Sequence, residues 1–144
     1  MRFQSRSFRN LSIIGVGMTT ALAAGVAFAA NGIAVKRGED ATVFGACVPT
    51  LTVENKSAET IDFLQVDLVI ALADGRERTV ELRSGYREGV LRPIAPGATA
   101  ALRQQLDLSP SLGVACGEVK ARRVARTICE AGGKACSAAI RIDP

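Results

Sequence analysis

The sequence predicts an all-β protein, a sandwich of two packed sheets built from about seven short strands and preceded by an export signal. Three observations predict this fold class. Apolar and polar residues alternate with a period of two along most of the chain after residue 40. Turn dipeptides such as Asp74-Gly75 and Pro96-Gly97 separate the alternating segments at short intervals. The total of 144 residues gives room for a single domain.

The first 29 residues have the three parts of a secretory signal peptide. Met1–Asn10 contains three arginines and no acid, an uncharged stretch extends from Leu11 to Phe28, and Ala27-Phe28-Ala29 is a small-x-small cleavage site. A retained membrane-spanning helix is the alternative, but glycines and threonines dilute the stretch and no basic cluster follows it at once. We expect Sec-dependent export, because the n-region has no adjacent arginine pair, and cleavage after Ala29.

Cleavage there leaves residues 30–144 as one domain, located in the periplasm or secreted, without membrane insertion. The chain has no histidine and no tryptophan, and both methionines lie in the predicted signal. Ser-His-Asp and Cys-His nucleophile systems therefore cannot form, and the usual ligands of copper carriers and catalytic zinc sites are missing. We expect no catalytic residues, no metal and no cofactor.

The charge of the predicted mature chain is close to balance. The signal contains three of the 18 basic residues and none of the 14 acidic ones, which leaves 15 basic residues and a net charge of +1. This balance favours neither a nucleic acid nor an anionic membrane as the partner.

Along the predicted domain, Ala30–Asp40 is polar and contains glycine, and we expect a loose lead there rather than a strand. Two short strands follow, Ala41–Cys47 and Thr50–Asn55. Ile61–Ala73 is the strongest predicted strand, because five large apolar residues occupy successive even positions.

The middle of the chain predicts a hairpin and one further strand. Asp74-Gly75 connects the long strand to a return strand, Arg76–Arg83, since both turn residues tolerate positive φ. The next twelve residues are irregular. Alternation resumes after Pro96-Gly97 over Ala98–Leu108, where Gln104 interrupts the apolar face.

Glu118–Cys129 fits two interpretations. Val119 and Ala121 have one strand parity whereas Val124 and Ile128 have the other, so a strand here requires a bulge. The apolar residues also fit the spacing of an amphipathic helix. We favour the strand, because the segment that follows has the pattern of a hairpin.

The four cysteines predict two structural disulfides in an exported chain, since no Cys-x-x-Cys or zinc-knuckle spacing is present. The residues between Cys129 and Cys136 are symmetric about Gly132-Gly133, and a turn there places the two cysteines opposite each other. Cys47 then pairs with Cys116. A last strand, Ser137–Ile142, completes a seven-stranded immunoglobulin-like sandwich.

The segment from Val53 to Ile61, followed by Val66-Asp67-Leu68 and the Asp74-Gly75 and Pro96-Gly97 turns, resembles exported bacterial immunoglobulin-like domains of the FxLYD kind. The resemblance covers Leu51 to Leu108. It implies an extracytoplasmic binding or assembly module without a cofactor or catalytic residues.

Two features are candidate contacts for an unidentified envelope protein. Lys120, Arg122 and Arg126 share a face of a regular strand and are suited to an acidic partner or a phosphate, although such charges also form solvated faces or protect sheet edges. Tyr86, the sole tyrosine, is a candidate aromatic anchor, and packing over a sheet end is the alternative.

Asn55-Lys56-Ser57 has the pattern of an N-glycosylation site, but the same residues end a strand and form a turn, and we favour this second interpretation.

The predicted function is a non-catalytic exported interaction or accessory module. The alternative is a thiol-redox protein or an envelope enzyme that works without histidine.

Overall fold

The computed structural model describes residues 31–84, 86–87, 90–105 and 111–144. Within these ranges there are twelve strands, one 3-10 turn at Cys116–Glu118 and no α-helix. The strands are β1 (Ile33–Arg37), β2 (Ala41–Val43), β3 (Ala46–Val48), β4 (Thr50–Asn55), β5 (Phe63–Leu72), β6 (Glu77–Ser84), β7 (Tyr86–Arg87), β8 (Val90–Leu91), β9 (Thr99–Gln104), β10 (Val119–Ala131), β11 (Lys134–Ala135) and β12 (Ile140–Asp143).

Eight strands form one sheet in the order β11-β10-β5-β6-β9-β4-β1-β12. All neighbours in this sheet are antiparallel except β1 and β12, which are parallel. Two short hairpins, β2–β3 and β7–β8, stand apart from it.

The sheet curls, because its two ends belong to neighbouring parts of the chain. β11 and β12 lie at opposite ends of the strand order, yet only residues 136–139 separate them in sequence. A connection of this length spans at most about 18 Å. The two end strands must therefore approach each other, and one face of the sheet becomes the inside of the molecule.

The inner face carries the hydrophobic core. Its residues form one cluster, and each fully buried aliphatic side chain stabilises the fold by about 1.5–3 kcal/mol. The core side chains with at most 1% exposure on five strands are Ile33, Val35, Leu51, Val53, Leu64, Val66, Leu68, Ile70, Leu82 and Leu102.

The predicted all-β fold class is confirmed, but the strand count of seven is wrong. The lead expected over Ala30–Asp40 contains β1, whose Ile33 and Val35 are buried in the core. The charged residues that follow Val35 hid this short strand, because only two apolar residues show the alternation. The single strand expected over Ala41–Cys47 is instead the β2–β3 hairpin.

Other predicted strands agree more closely with the structure. β4 has the predicted bounds, and β5 and β6 lie within a residue or two of theirs. β9 confirms the start of the predicted strand Ala98–Leu108, whereas residues 106–110 lie outside the described ranges. The predicted signal peptide also lies outside them.

The segment that fitted both a strand and a helix, Glu118–Cys129, lies almost entirely in strand β10, as we favoured. The pairing of β10 with β5 contains the bulge that a strand here requires. The register shifts twice, between Val119 and Ala121 and between Val124 and Arg126. The hairpin after it is also confirmed, since Glu130 pairs with Ala135.

Among the described residues, no helix is long and apolar enough to cross a membrane.

Candidate interaction site

The β2–β3 hairpin, residues Ala41–Val48, presents an aromatic ring to solvent, and we refer to it as the Phe44 hairpin. Phe44 and Gly45 form its two-residue turn with φ of 48° and 78°. Two positive φ values match the twist of a tight hairpin, but a bulky side chain rarely adopts this conformation. The Phe44 side chain is fully exposed. The fold therefore does not require phenylalanine at this position.

The rest of the Phe44 hairpin is uncharged, and its two strands differ in burial. At the base, Ala41 and Thr42 of β2 are exposed, whereas their partners Val48 and Cys47 of β3 are buried. The β3 side of the base is thus buried against the body of the molecule, and the Phe44-Gly45 tip projects from it.

A disulfide fixes the base of the hairpin to the segment before β10. Cys47, with no exposed surface, is bonded to Cys116 across 69 residues, which confirms the predicted pairing. The Cys47 N–H also donates to the Val114 carbonyl at 2.7 Å. The hairpin consequently cannot swing away from the body without breaking a covalent bond.

A buried ion pair stands beside this disulfide. Arg122 of β10 donates through Nη2 to Asp40, directly before the hairpin, and the two side chains are 3% and 10% exposed. Asp40 also accepts from the Thr50 N–H at 3.3 Å and from Arg37 at 3.1 Å. Burial raises the pKa of the Asp40 carboxyl, but the hydrogen bond and charge of Arg122, with Thr50 and Arg37, hold it below its ordinary value overall.

Nε and Nη1 of Arg122 are enclosed and have no hydrogen-bond partner among the described residues. Asp40 is therefore the group that compensates the buried guanidinium. Removing one member of such a pair leaves the other charge buried and unpaired, which is strongly destabilising.

The prediction that one face of the strand carries Lys120, Arg122 and Arg126 is wrong. Arg122 pairs with Ile70, whose side chain is in the core, whereas Arg126 pairs with Asp67 on the outer face. The register shift between Val124 and Arg126 inserts one extra residue, which reverses the parity of all later positions. The change of parity among the apolar residues of this segment was the available sequence signal.

The outer face of β10 has two exposed arginines. Arg126 donates through Nε to Asp67 at 2.7 Å, and Arg123 donates through Nη2 to Glu77 at 3.0 Å. Their side chains are 58% and 63% exposed. Lys120, at the first register shift, is also exposed. Arg123 was not among the predicted contact residues, because a regular strand would place it on the face opposite Lys120, Arg122 and Arg126.

Tyr86 lies in β7, where its backbone pairs with Leu91. Its role as an aromatic anchor stays a prediction.

Asn55 forms a turn and is not a glycosylation acceptor. The residue is 1% exposed, and its amide donates to the carbonyls of Glu59 at 2.8 Å and Ile94 at 2.9 Å. Its oxygen accepts from the N–H and hydroxyl of Ser57. Every part of the amide is used inside the fold, as the favoured interpretation predicted.

The second predicted disulfide is also present, between Cys129 and Cys136 at the β10–β11 hairpin. A shallow open depression of about 360 Å³ lies beside it, lined by residues 127–130 and 133–135. Its charged side chains are Glu130 and Lys134.

Asp40 and the sulfurs of Cys47 and Cys116 lie within 4.8 Å of one another, a grouping that could suggest a metal site. Both sulfurs are engaged in the disulfide and provide no thiolate, which is the form of cysteine that binds metals. The donor set does not fit a metal ion.

The fold and site define a class, a disulfide-bonded all-β domain with one curled sheet and a projecting hairpin. A solved structure of IrmA from Escherichia coli is similar, with a TM-score of 0.51 over 77% of this chain and 90% of that chain. The two sequences are 11% identical, so the similarity concerns the fold alone. No family model matches the sequence, and no curated protein matches it.

Proposed function

We propose that this protein is an exported, non-catalytic interaction module whose Phe44 hairpin inserts into an apolar pocket of an envelope protein. The observation that carries the proposal is the fully exposed Phe44 ring on a left-handed turn. Such a residue costs folding free energy through its backbone conformation, of order 1–3 kcal/mol, and gains no burial in return. Aromatic side chains of this kind are typical binding anchors.

The rigid base of the hairpin supports the same role. Cys47–Cys116 and Asp40–Arg122 hold the hairpin in place before any partner arrives. A preorganised contact element loses little conformational entropy on binding, so more of the contact energy appears as affinity.

The chemistry of the hairpin favours a protein pocket over a lipid surface. Ala41–Val48 contains no lysine or arginine, and one aromatic ring without basic neighbours adsorbs only weakly to a membrane. Gly45 and Ala46 follow the ring, so this side of the tip adds little bulk that would hinder entry into a cleft.

Two further observations support an exported binding module. Disulfides persist in oxidising compartments outside the cytoplasm, and this chain has two. The resemblance of Leu51–Leu108 to FxLYD-like domains points to the same class.

The alternative is a thiol-redox protein, and the half-buried Cys129–Cys136 bond beside the open depression favours it over other enzymes. Replacing both cysteines by serine distinguishes the two functions. An interaction module keeps its binding, whereas a redox protein loses its activity.

The test places a photoreactive phenylalanine analogue at position 44 of the exported protein in cells. We expect one crosslinked adduct, suppressed by an excess of unlabelled wild-type protein but not by Phe44→Asn. Asparagine tolerates the left-handed turn, so this variant keeps the hairpin and loses only the ring. The control carries the analogue at Arg78, an exposed residue of β6. Equal adducts at both positions, or none at position 44, would contradict the proposal.

A further inference from the structure

One edge of β10 has no neighbouring strand over most of its length. β5 pairs with one edge from Val119 to Glu130, whereas β11 covers the other edge only at Glu130 and Ala131. Between Val119 and Ile128, no strand in the described part of the chain pairs with that second edge. In an antiparallel strand about half of the backbone groups point to each side, so a row of donors and acceptors faces outward.

The edge is free because the end of the chain turns away from it. After two residues of β11 the chain crosses to the opposite end of the sheet, where β12 pairs with β1. Six of the ten residues from Val119 to Ile128 are exposed, including Val124 and Ala125. This edge can therefore accept another strand without displacing a described one.

The charges on β10 indicate what kind of strand fits. β10 contains four cationic residues and one acid, Glu130. Arg122 is directed into the core, but Arg123 and Arg126 both lie on the outer face. They pair with Val69 and Asp67, two residues apart on β5, so they occupy successive outward positions of the sheet.

Both arginines keep donors for a second partner. The bond to Asp67 uses only Nε of Arg126, and the bond to Glu77 uses only Nη2 of Arg123. A guanidinium has five N–H donors, so each can bind a further carboxylate while its intramolecular pair is retained. A second copy of the chain is a poor occupant, because two β10 edges would bring like charges together.

We propose that the free edge of β10 binds an extended acidic segment of a partner protein as an added β-strand. Acidic residues at alternate positions of that segment face Arg123 and Arg126. The edge is linked to the Phe44 hairpin through the Arg122–Asp40 pair, so one partner can contact both. This inference rests on the proposed interaction role and adds the chemistry of the partner.

The test measures fluorescence anisotropy of a short labelled peptide of valine and threonine with two aspartates at alternate positions, added to the purified mature protein. We expect saturable binding that weakens about tenfold or more in the double variant Arg123→Glu, Arg126→Glu. Arg103→Glu is the matched control, because Arg103 is an exposed cation on β9, three strands away from β10, and binding should be unchanged. β10 amides between Val119 and Ile128 should gain hydrogen-exchange protection.

A peptide methylated on the backbone nitrogens of alternate residues separates strand addition from simple charge attraction, because it cannot form the ladder. We expect this peptide not to bind. Equal binding of the methylated peptide, equal weakening by Arg103→Glu, or no binding of the parent peptide would overturn the inference. Phe44→Asn should bind the peptide like the wild type, so the failure of one proposal can be distinguished from the failure of the other.

Discussion

At the scale of single residues, two arginines four positions apart on β10 have opposite roles. Arg122 is enclosed and compensates the buried Asp40, whereas Arg126 lies on the outer face and is mostly exposed. The difference comes from the register shift between Val124 and Arg126 and not from the side chains themselves. The carboxylate partner of Arg126, Asp67, is buried, so this pair is only half-exposed. Breaking a pair that is enclosed on both sides, such as Arg122–Asp40, costs about 3–5 kcal/mol.

Arg122→Ala should therefore lower the free energy of unfolding by about 3 kcal/mol at neutral pH, measured by urea denaturation. The deficit should shrink in acid. In the wild type the pKa of Asp40 is below its ordinary value, so this group stabilises the fold above that value and the stability is lost as pH falls. Without Arg122, less opposes the burial that raises the pKa of Asp40. Protonation of Asp40 in acid then removes its unpaired buried charge. Lys120→Ala is the control, and an equal deficit for both variants would argue against a structural Arg122.

At the scale of elements, strands with a long apolar alternation or a clear turn motif were predictable from the sequence, and strands with a short alternation were not. β5 was predictable because five apolar residues alternate in one run, and the β10–β11 hairpin because its glycine turn is symmetric between two cysteines. β1 was missed because two apolar residues are too few to establish a period. The Phe44 turn was also missed, since Phe-Gly is not one of the dipeptides that mark a hairpin turn.

The two disulfides should differ in their contribution to stability. By the loop-entropy argument the Cys47–Cys116 bond, across 69 residues, contributes about 4 kcal/mol and the Cys129–Cys136 bond, across 7 residues, about 2.5 kcal/mol. Replacing the first pair by serine should lower the urea midpoint more and release the Phe44 hairpin. Replacing the second pair should mainly loosen the β10–β11 edge. A larger loss for the second pair would mean that the long bridge does not constrain the unfolded chain as expected.

At the scale of the whole molecule, the sequence predicted the class and not the connectivity. The alternation of apolar and polar residues indicates which side chains face the core. The same alternation is expected for a two-sheet sandwich and for one curled sheet of eight strands, so it does not distinguish them. The parallel pairing of β1 with β12 joins segments more than a hundred residues apart, and no local pattern encodes it. The same limit applies to the Arg122–Asp40 pair, whose members lie 82 positions apart.

Export remains a prediction about the whole molecule. The intact mass of the protein from the periplasm or the medium should correspond to a chain that begins at Ala30 and contains two disulfides. A small-x-small site after an apolar stretch is the reason for this expectation. A full-length species retained in the inner membrane would contradict it.

The parallel β1–β12 pair has a mechanical consequence. The chain enters this pair at Ile33 and leaves it at Asp143, and the register from Ile33–Ile140 to Lys36–Asp143 places these points at opposite ends of the pair. Tension between the two termini therefore acts along the strands, so it shears their hydrogen bonds together and cannot open them one by one. Forced unfolding is governed by the height of the unfolding barrier, and such a geometry raises it.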